Sequence, residues 1–299
     1  MSNEEINQMI QMIQEYDGFY RKMAVIEHLE DEMGYLSEEI LSVFDFGSTY
    51  QNTNDEESDY DTAVVVVSSL YDLMYRKRFA KTKHLDHLDT RIIPLEHFIA
   101  LIEKASFDSI LMLNAQLEKG FMGLNEEVFG VFKKRGNYKH FVKGDMKRYL
   151  FSLGGNMKNF KNKLEERNMS GKDVVKAFTF LHHYEKALSG KIGGFDTFSK
   201  VTDDIKEDLV PMKRFTPEQM KDVDFEKVNF FNEKGINSYE SMIQYIQEKD
   251  QEMFETAQNY QNDEDSALKK KIMMEQIKRN AINLYIRKHA ELTDDYDKR

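Results

Sequence analysis

The chain contains no cysteine, and this excludes disulfides, thiolate catalysis, iron–sulfur clusters and cysteine-ligated zinc together. It has only 3 prolines in 299 residues, so helix stops are few, and its many Glu, Lys, Met and Leu residues favour helix. No apolar run approaches the roughly 20 residues needed to cross a bilayer. The start, Met1-Ser2-Asn3-Glu4-Glu5, is acidic and lacks the basic and apolar stretches of a signal peptide, so a cytoplasmic protein with no membrane partner is expected. There is no internal repeat and no low-complexity tract.

A hydrophobic fraction of 40% with 12% aromatics is that of a globular protein, and the length suits roughly two domains. The net charge of −11 argues against indiscriminate coating of nucleic acid, although a local basic site remains compatible with it. Charge is uneven: from Lys133 to Lys163 the basic residues are Lys133, Lys134, Arg135, Lys139, Lys143, Lys147, Arg148, Lys158, Lys161 and Lys163, against Asp145.

Hydrophobic periodicity predicts helices over 4–15 and about 20–33, the second carrying Met23, Ile26 and Leu29. Leu41 to Phe46 reads as a short buried strand running into Gly47-Ser48, and Gln51 to Glu57 as a polar loop. The run Val64-Val65-Val66-Val67 within Tyr60 to Val67 is the clearest strand signal, suited to a strand covered on both faces. A third strand is expected at His87 to Ile93, then a helix from Pro94 with Leu95, Phe98, Ile99 and Ile102 inward, and another over 107–118. Beyond Gly123 only helices are predicted, at 143–167, 172–189, 203–209, 238–260 and 264–290. Their apolar stripes include Met242, Ile246, Met253 and Ala257, then Leu268, Ile272, Ile277, Ala281 and Leu284, which mark core or a partner-helix surface. Flexible connections are expected near Gly190 to Gly194 and Pro211 to Pro217. The expected class is α+β: a small α/β core over 1–123, a helical domain over 124–210 and a helical extension over 211–299.

Chemistry concentrates at Gly47-Ser48 and Asp59-Tyr60-Asp61. Alternate residues of a strand point the same way, so Asp59 and Asp61 are placed to share divalent cations, for which carboxylates are the ordinary ligands. Gly47 permits close backbone approach, and Ser48 offers a hydroxyl and an N–H to phosphate oxygens. Asp89, on the next strand, is the candidate third carboxylate, to ligand the cation that activates an attacking hydroxyl; a slip in strand placement would substitute Asp86. Lys143 and Lys147, four apart on a predicted helix, are candidates to meet phosphates, or else belong to a solvated face. Lys176 reads first as a surface lysine and second as a contact to a triphosphate. Asp55-Glu56-Glu57 lacks the turn glycine and closing glutamate of an EF-hand. His182 and His183, adjacent on a helix, diverge by about a quarter-turn and do not share an ion.

The segment Phe46-Gly47-Ser48, ten residues, then Asp59-Tyr60-Asp61 resembles the GS-x10-DxD signature of the minimal nucleotidyltransferases of the polymerase-β superfamily. Thr53 to Asp61 is similar, more narrowly, to a bacterial and phage group linked in part to RNA repair, in which an Asn-containing apolar helix, here Ile110 to Leu117, follows the third aspartate. The resemblance implies a polymerase-β-type sheet with flanking helices. It further implies two magnesium ions on Asp59, Asp61 and Asp89, and an NTP, ATP first among candidates, held by Gly47 and Ser48 with Lys143 and Lys147. The implied reaction passes a nucleoside monophosphate to an RNA or tRNA end and releases pyrophosphate. Protein nucleotidylation (AMPylation), as in the antitoxin-type members, is the alternative, and a catalytically degenerate nucleotide-binding module is a third reading. The family's Arg-Ala-x-Gly after Gly-Ser is here Thr49-Tyr50-Gln51-Asn52. That removes a phosphate contact, which the Lys143, Lys147 and Arg148 region or Arg91 could replace. Asn52 tolerates the left-handed backbone that the turn needs.

Overall fold

A computed structural model describes residues 20, 22–31, 35, 39–55, 58–68, 81–85, 88–119, 126–134, 136–189, 201 and 203–296. The expected helix over 4–15 and the connection at Gly190 to Gly194 lie outside them. After helix α1 (22–31) come strand β1 (Ile40–Asp45), the one-turn helix α2 (Gly47–Gln51) and strand β2 (Tyr60–Val66). Strands β3 (Lys81–Leu85) and β4 (Leu88–Pro94) follow, then helices α3 (Leu95–Lys104) and α4 (Phe107–Lys119). The remainder is helical: α5 (Asn137–Lys143), α6 (Met146–Met157), α7 (Gly171–Leu188), α8 (Tyr239–Asn259) and α9 (Glu264–Tyr296), with one-turn helical pieces between. The protein is therefore mixed α+β, with its described strands confined to the first hundred residues.

The sheet has the order β1-β2-β4-β3, with β2 and β4 parallel and the outer pairs antiparallel. The valine run lies in the centre, Val64, Val65, Val66 and Val67 being at most 4% exposed, because both faces are covered as its unbroken apolar pattern requires. One face packs Val43, Val64, Val66 and Ile92 against Val25 and Leu29 of α1. The other sends Phe44, Ala63, Val65 and Ile93 into the main core, one apolar cluster that runs from Leu41 to Leu284. Strand β3 was not anticipated: Lys81-Thr82-Lys83-His84-Leu85 has no apolar alternation, as suits a charged edge strand.

The helical part departs from expectation in three places. The predicted helix over 143–167 is broken: α5 ends at Lys143, Gly144 and Asp145 form a turn, and α6 starts at Met146. A Cβ on Gly144 would stand 2.7 Å from the Ser266 carbonyl oxygen, so α9 passes close against the turn. The segment Pro211 to Pro217, expected to be flexible, is pinned instead: Phe215 O accepts the Gly171 N–H at 2.9 Å, and a Cβ on Gly171 would fall 1.7 Å from Met212 O. On α9 the inward stripe holds Ile277, Ala281 and Leu284, while Leu268 and Ile272 are each 59% exposed and lie on the opposite side. This last helix is bound to α3 by Lys278 Nζ to Glu103 Oε1 at 2.6 Å and by Tyr285 OH to Glu96 Oε2 at 2.6 Å. Lys270, 5% exposed, reaches Asp145 Oδ2 at 2.7 Å and the Glu103 carbonyl oxygen at 2.9 Å. Among the described residues no helix is long and apolar enough to cross a membrane.

Candidate functional site

The sheet turns an acidic edge toward a cleft of about 430 Å³, within the range of small-molecule sites. Asp61 and Asp89 are register partners on the parallel strands β2 and β4, so their backbones stand roughly 4.8 Å apart and both side chains share one face. Alternation explains the placement. Ala63 and Val65, two and four residues after Asp61, enter the main core, and Asp61 takes the same side at the strand's start, where the helical cover gives way to the cleft. Asp59, exposed and one residue before β2, lines the same cleft.

The Gly-Ser pair closes onto this edge. Gly47 has φ +57°, and a Cβ there would lie 2.4 Å from Asp61 Oδ2; only glycine allows the approach. Ser48 donates both its N–H and its hydroxyl to Asp61 Oδ2, each at 3.0 Å, and the Asp61 N–H donates to Thr49 Oγ1 at 3.0 Å. Gly47 and Ser48 therefore form the first turn of α2 rather than the end of a strand. Asn52 caps that helix at φ 63°, so the turn survives without a glycine. Asn114 Nδ2 of α4 donates to the buried Tyr50 hydroxyl at 2.8 Å, fixing α2 from behind.

A basic wall faces the carboxylates. It is formed by Lys172 and Lys176 on the first turns of α7 and by Lys213 and Arg214. Ser170 and Asp173 form a capping box at the start of α7, and Lys163 Nζ bonds both Asp173 oxygens at 2.7 and 2.8 Å. Because Gly171 is packed against Met212, the four cations sit on adjoining segments. The second of these grips the loop preceding Asp59. Lys213 Nζ donates to Thr53 O at 2.9 Å and to Ser58 Oγ at 2.8 Å, and Arg214 meets Asp55 in a two-point ion pair at 2.8 and 2.9 Å. The Arg214 guanidinium, helped by Ser58 and Lys213, holds the Asp55 carboxyl far below the usual carboxylate range. Desolvation lowers the Lys213 pKa, with Asp55 opposing it. Desolvation, then repulsion from Lys172, lowers that of Lys176.

Phe107, Val175 and Phe180 supply apolar lining between the walls, with the Phe107 and Phe180 rings edge-on at 5.3 Å. Asp108, beside Phe107, also lines the cleft; desolvation raises its carboxyl pKa, and Arg91 opposes the shift. Arg91 itself lies over the Phe46 ring, 5.9 Å from its centre.

Five of the residues picked from the sequence, Gly47, Ser48, Asp59, Asp61 and Asp89, thus come together. Lys143 and Lys147 do not join them. A turn separates the two, so they share no continuous helical face, and Lys147 Nζ is bound to Gln258 O at 2.9 Å. Several residues of the 133–163 basic stretch are spent locally: Arg148 pairs with Asp145 and Lys161 with Glu165, and Lys158 lies over the Phe254 ring. The sequence did contain the pair of lysines that lines the cleft. Lys172 and Lys176 have the same four-residue spacing and directly follow the capping residue Ser170. Lys213 and Arg214 had no such signal, since their partners lie about 160 residues away. His183 is fully buried, with its ring against Phe107 at 5.0 Å.

The donor set of Asp59, Asp61 and Asp89 is all hard oxygen and suits magnesium rather than a soft metal. Among the described residues no three acidic or histidine side chains converge on one point, and Asp61 Oδ2 is turned toward Ser48. No protein-family model matches the chain, and no curated protein matches it either.

Proposed function

We propose that this cleft binds a nucleoside triphosphate with magnesium and transfers its nucleoside monophosphate to an acceptor, releasing pyrophosphate. The observation that carries the proposal is the opposition of the in-register pair Asp61 and Asp89 to Lys172 and Lys176 of the basic wall, with Lys213 and Arg214 beside them holding the loop before Asp59. Nucleotidyl transfer asks for this division: carboxylates where cations and the attacking hydroxyl gather, and ammonium and guanidinium groups where the triphosphate lies. Asp59, Asp61 and Asp89 would hold the metal, which when bound neutralises the reacting phosphate and lowers the pKa of the attacking hydroxyl. The basic wall orients the triphosphate and stabilises the charge that builds on the leaving pyrophosphate. Phe180, half-buried above Phe107, offers an apolar surface to the base. Asp89 is positioned to accept the acceptor's proton, and Asp108, with its raised pKa, to hold a proton nearby.

The acceptor is an RNA or tRNA end, with a protein side chain as the alternative. Incubation with each of the four α-labelled NTPs, magnesium, cell RNA and cell protein separates them by where the label goes. Asp59→Asn combined with Asp61→Asn should abolish transfer, and full transfer by that variant would sink the proposal.

A second reading, a nucleotide-binding module without transfer, is favoured by the bonding of Ser48. Both donors that would meet phosphate are spent on Asp61 Oδ2. Calorimetric binding of ATP with magnesium, with no label transferred to any acceptor, would select it.

A further inference from the structure

The outward face of α9 carries Leu268, Ile272, Ile282 and Ile286, which are 59%, 59%, 58% and 64% exposed. Glu275 and Arg279, also exposed, lie between them. Along the helix the six positions 268, 272, 275, 279, 282 and 286 are spaced alternately by four and three residues. That is the seam of a coiled coil, the pattern that keeps one stripe facing a partner helix. The stripe is not needed inside the molecule. Met273, Met274, Ile277, Ala281 and Leu284 already bury the opposite side of the same helix.

The seam is symmetric about Ile277. Reversing the helix places Leu268 against Ile286, Ile272 against Ile282, and Glu275 against Arg279. A two-fold axis at Ile277 would therefore bring apolar residues onto apolar ones at both ends and set two opposite-charge pairs at the centre. A two-fold interface needs this self-complementarity. A parallel in-register pairing would instead set Glu275 on Glu275 and Arg279 on Arg279, which like charges oppose.

We infer that the occupant of this face is a second copy of the chain, docked through an antiparallel α9–α9 seam about 27 Å long. The cleft lies elsewhere, so the inference does not depend on the proposed activity. Sedimentation velocity of the full chain over a range of micromolar concentrations should show reversible dimerisation. The E275R variant carries two arginines at the centre of its seam and the R279E variant two glutamates, so each alone should weaken the dimer at least tenfold. An equimolar mixture of the two restores both opposite-charge pairs and should form a heterodimer as tight as the unmodified dimer, as should the E275R/R279E double variant with itself. Both substituted positions are exposed, and unchanged far-UV circular dichroism checks the fold of each variant. A chain that stays monomeric throughout would overturn the inference. So would a dimer insensitive to E275R and R279E, or a mixture that fails to associate.

Discussion

Gly47 and Asp61 approach so closely that a single methyl group on the glycine would lie 2.4 Å from the aspartate's Oδ2. The contact exists because the Gly-Ser turn folds back on the first residues of β2, with the Phe46 N–H donating to Asp61 O at 2.9 Å. It is a strained position for any other residue as well, since φ is +57°. Gly47→Ala should therefore destabilise the protein by about 1–3 kcal/mol. Urea unfolding measures this, and a change below a few tenths would show that the turn relaxes freely.

The two lysine pairs should behave differently toward nucleotide. Lys172→Ala and Lys176→Ala should each weaken ATP binding roughly tenfold, the scale of a lost charge-assisted contact. Lys143→Ala and Lys147→Ala, away from the cleft, should leave binding unchanged. Isothermal calorimetry with ATP and magnesium makes the comparison, and equal effects from both pairs would remove the basic wall from the site.

Arg214 and Lys213 hold the loop that delivers Asp59. Replacing both with alanine should raise amide hydrogen exchange at Thr53, Asp55 and Ser58 while leaving the helical core protected. The stability loss should be small, about 1 kcal/mol, because Arg214 is 55% exposed. A loop that stays protected in this variant would mean that the 213–214 turn does not order it.

Acid should attack the start of α7. Burial alone would raise the Asp173 pKa, but the hydrogen bonds from Lys163 and Ser170 outweigh it and hold the carboxyl below its ordinary 3.8. A depressed folded pKa means that the folded state binds fewer protons than the unfolded one in this range. The stabilisation is present above pH 3.8 and is lost as pH falls through the folded value. Thermal melts should show stability declining below about pH 4, and Asp173→Ala should lower stability by about 1 kcal/mol at neutral pH and flatten that decline.

The Lys270–Asp145 pair is buried enough for its two halves to respond unequally. Desolvation already lowers the Lys270 pKa. Asp145→Ala would leave that ammonium without its carboxylate and should cost about 3–5 kcal/mol, whereas after Lys270→Met the Asp145 carboxylate keeps Arg148 at 3.4 Å and the cost should be smaller, about 1–3 kcal/mol. Chemical denaturation of the two variants tests the asymmetry.

The acidic side of the cleft was legible because its determinants are local. A run of β-branched residues makes a two-sided strand, alternation sets Asp61 with Ala63 and Val65, and a glycine followed by serine announces a tight turn. Asp89 followed from the same logic one strand on. The lysines were misplaced because periodicity across 143–167 concealed the break at Gly144, where an added side chain would meet Ser266 on α9.

By itself, the sequence determined the α+β class, the carboxylate edge and the helical character of the remainder, because strand alternation and helix periodicity need only near neighbours. Tertiary structure alone decided which cations face those carboxylates. Lys213 and Arg214 reach Thr53, Ser58 and Asp55 only after the chain packs Gly171 against Met212. It also decided which stripe of α9 turns inward, since both faces of that helix are apolar and packing against α3, α5 and the one-turn helix Glu126–Phe129 selects between them.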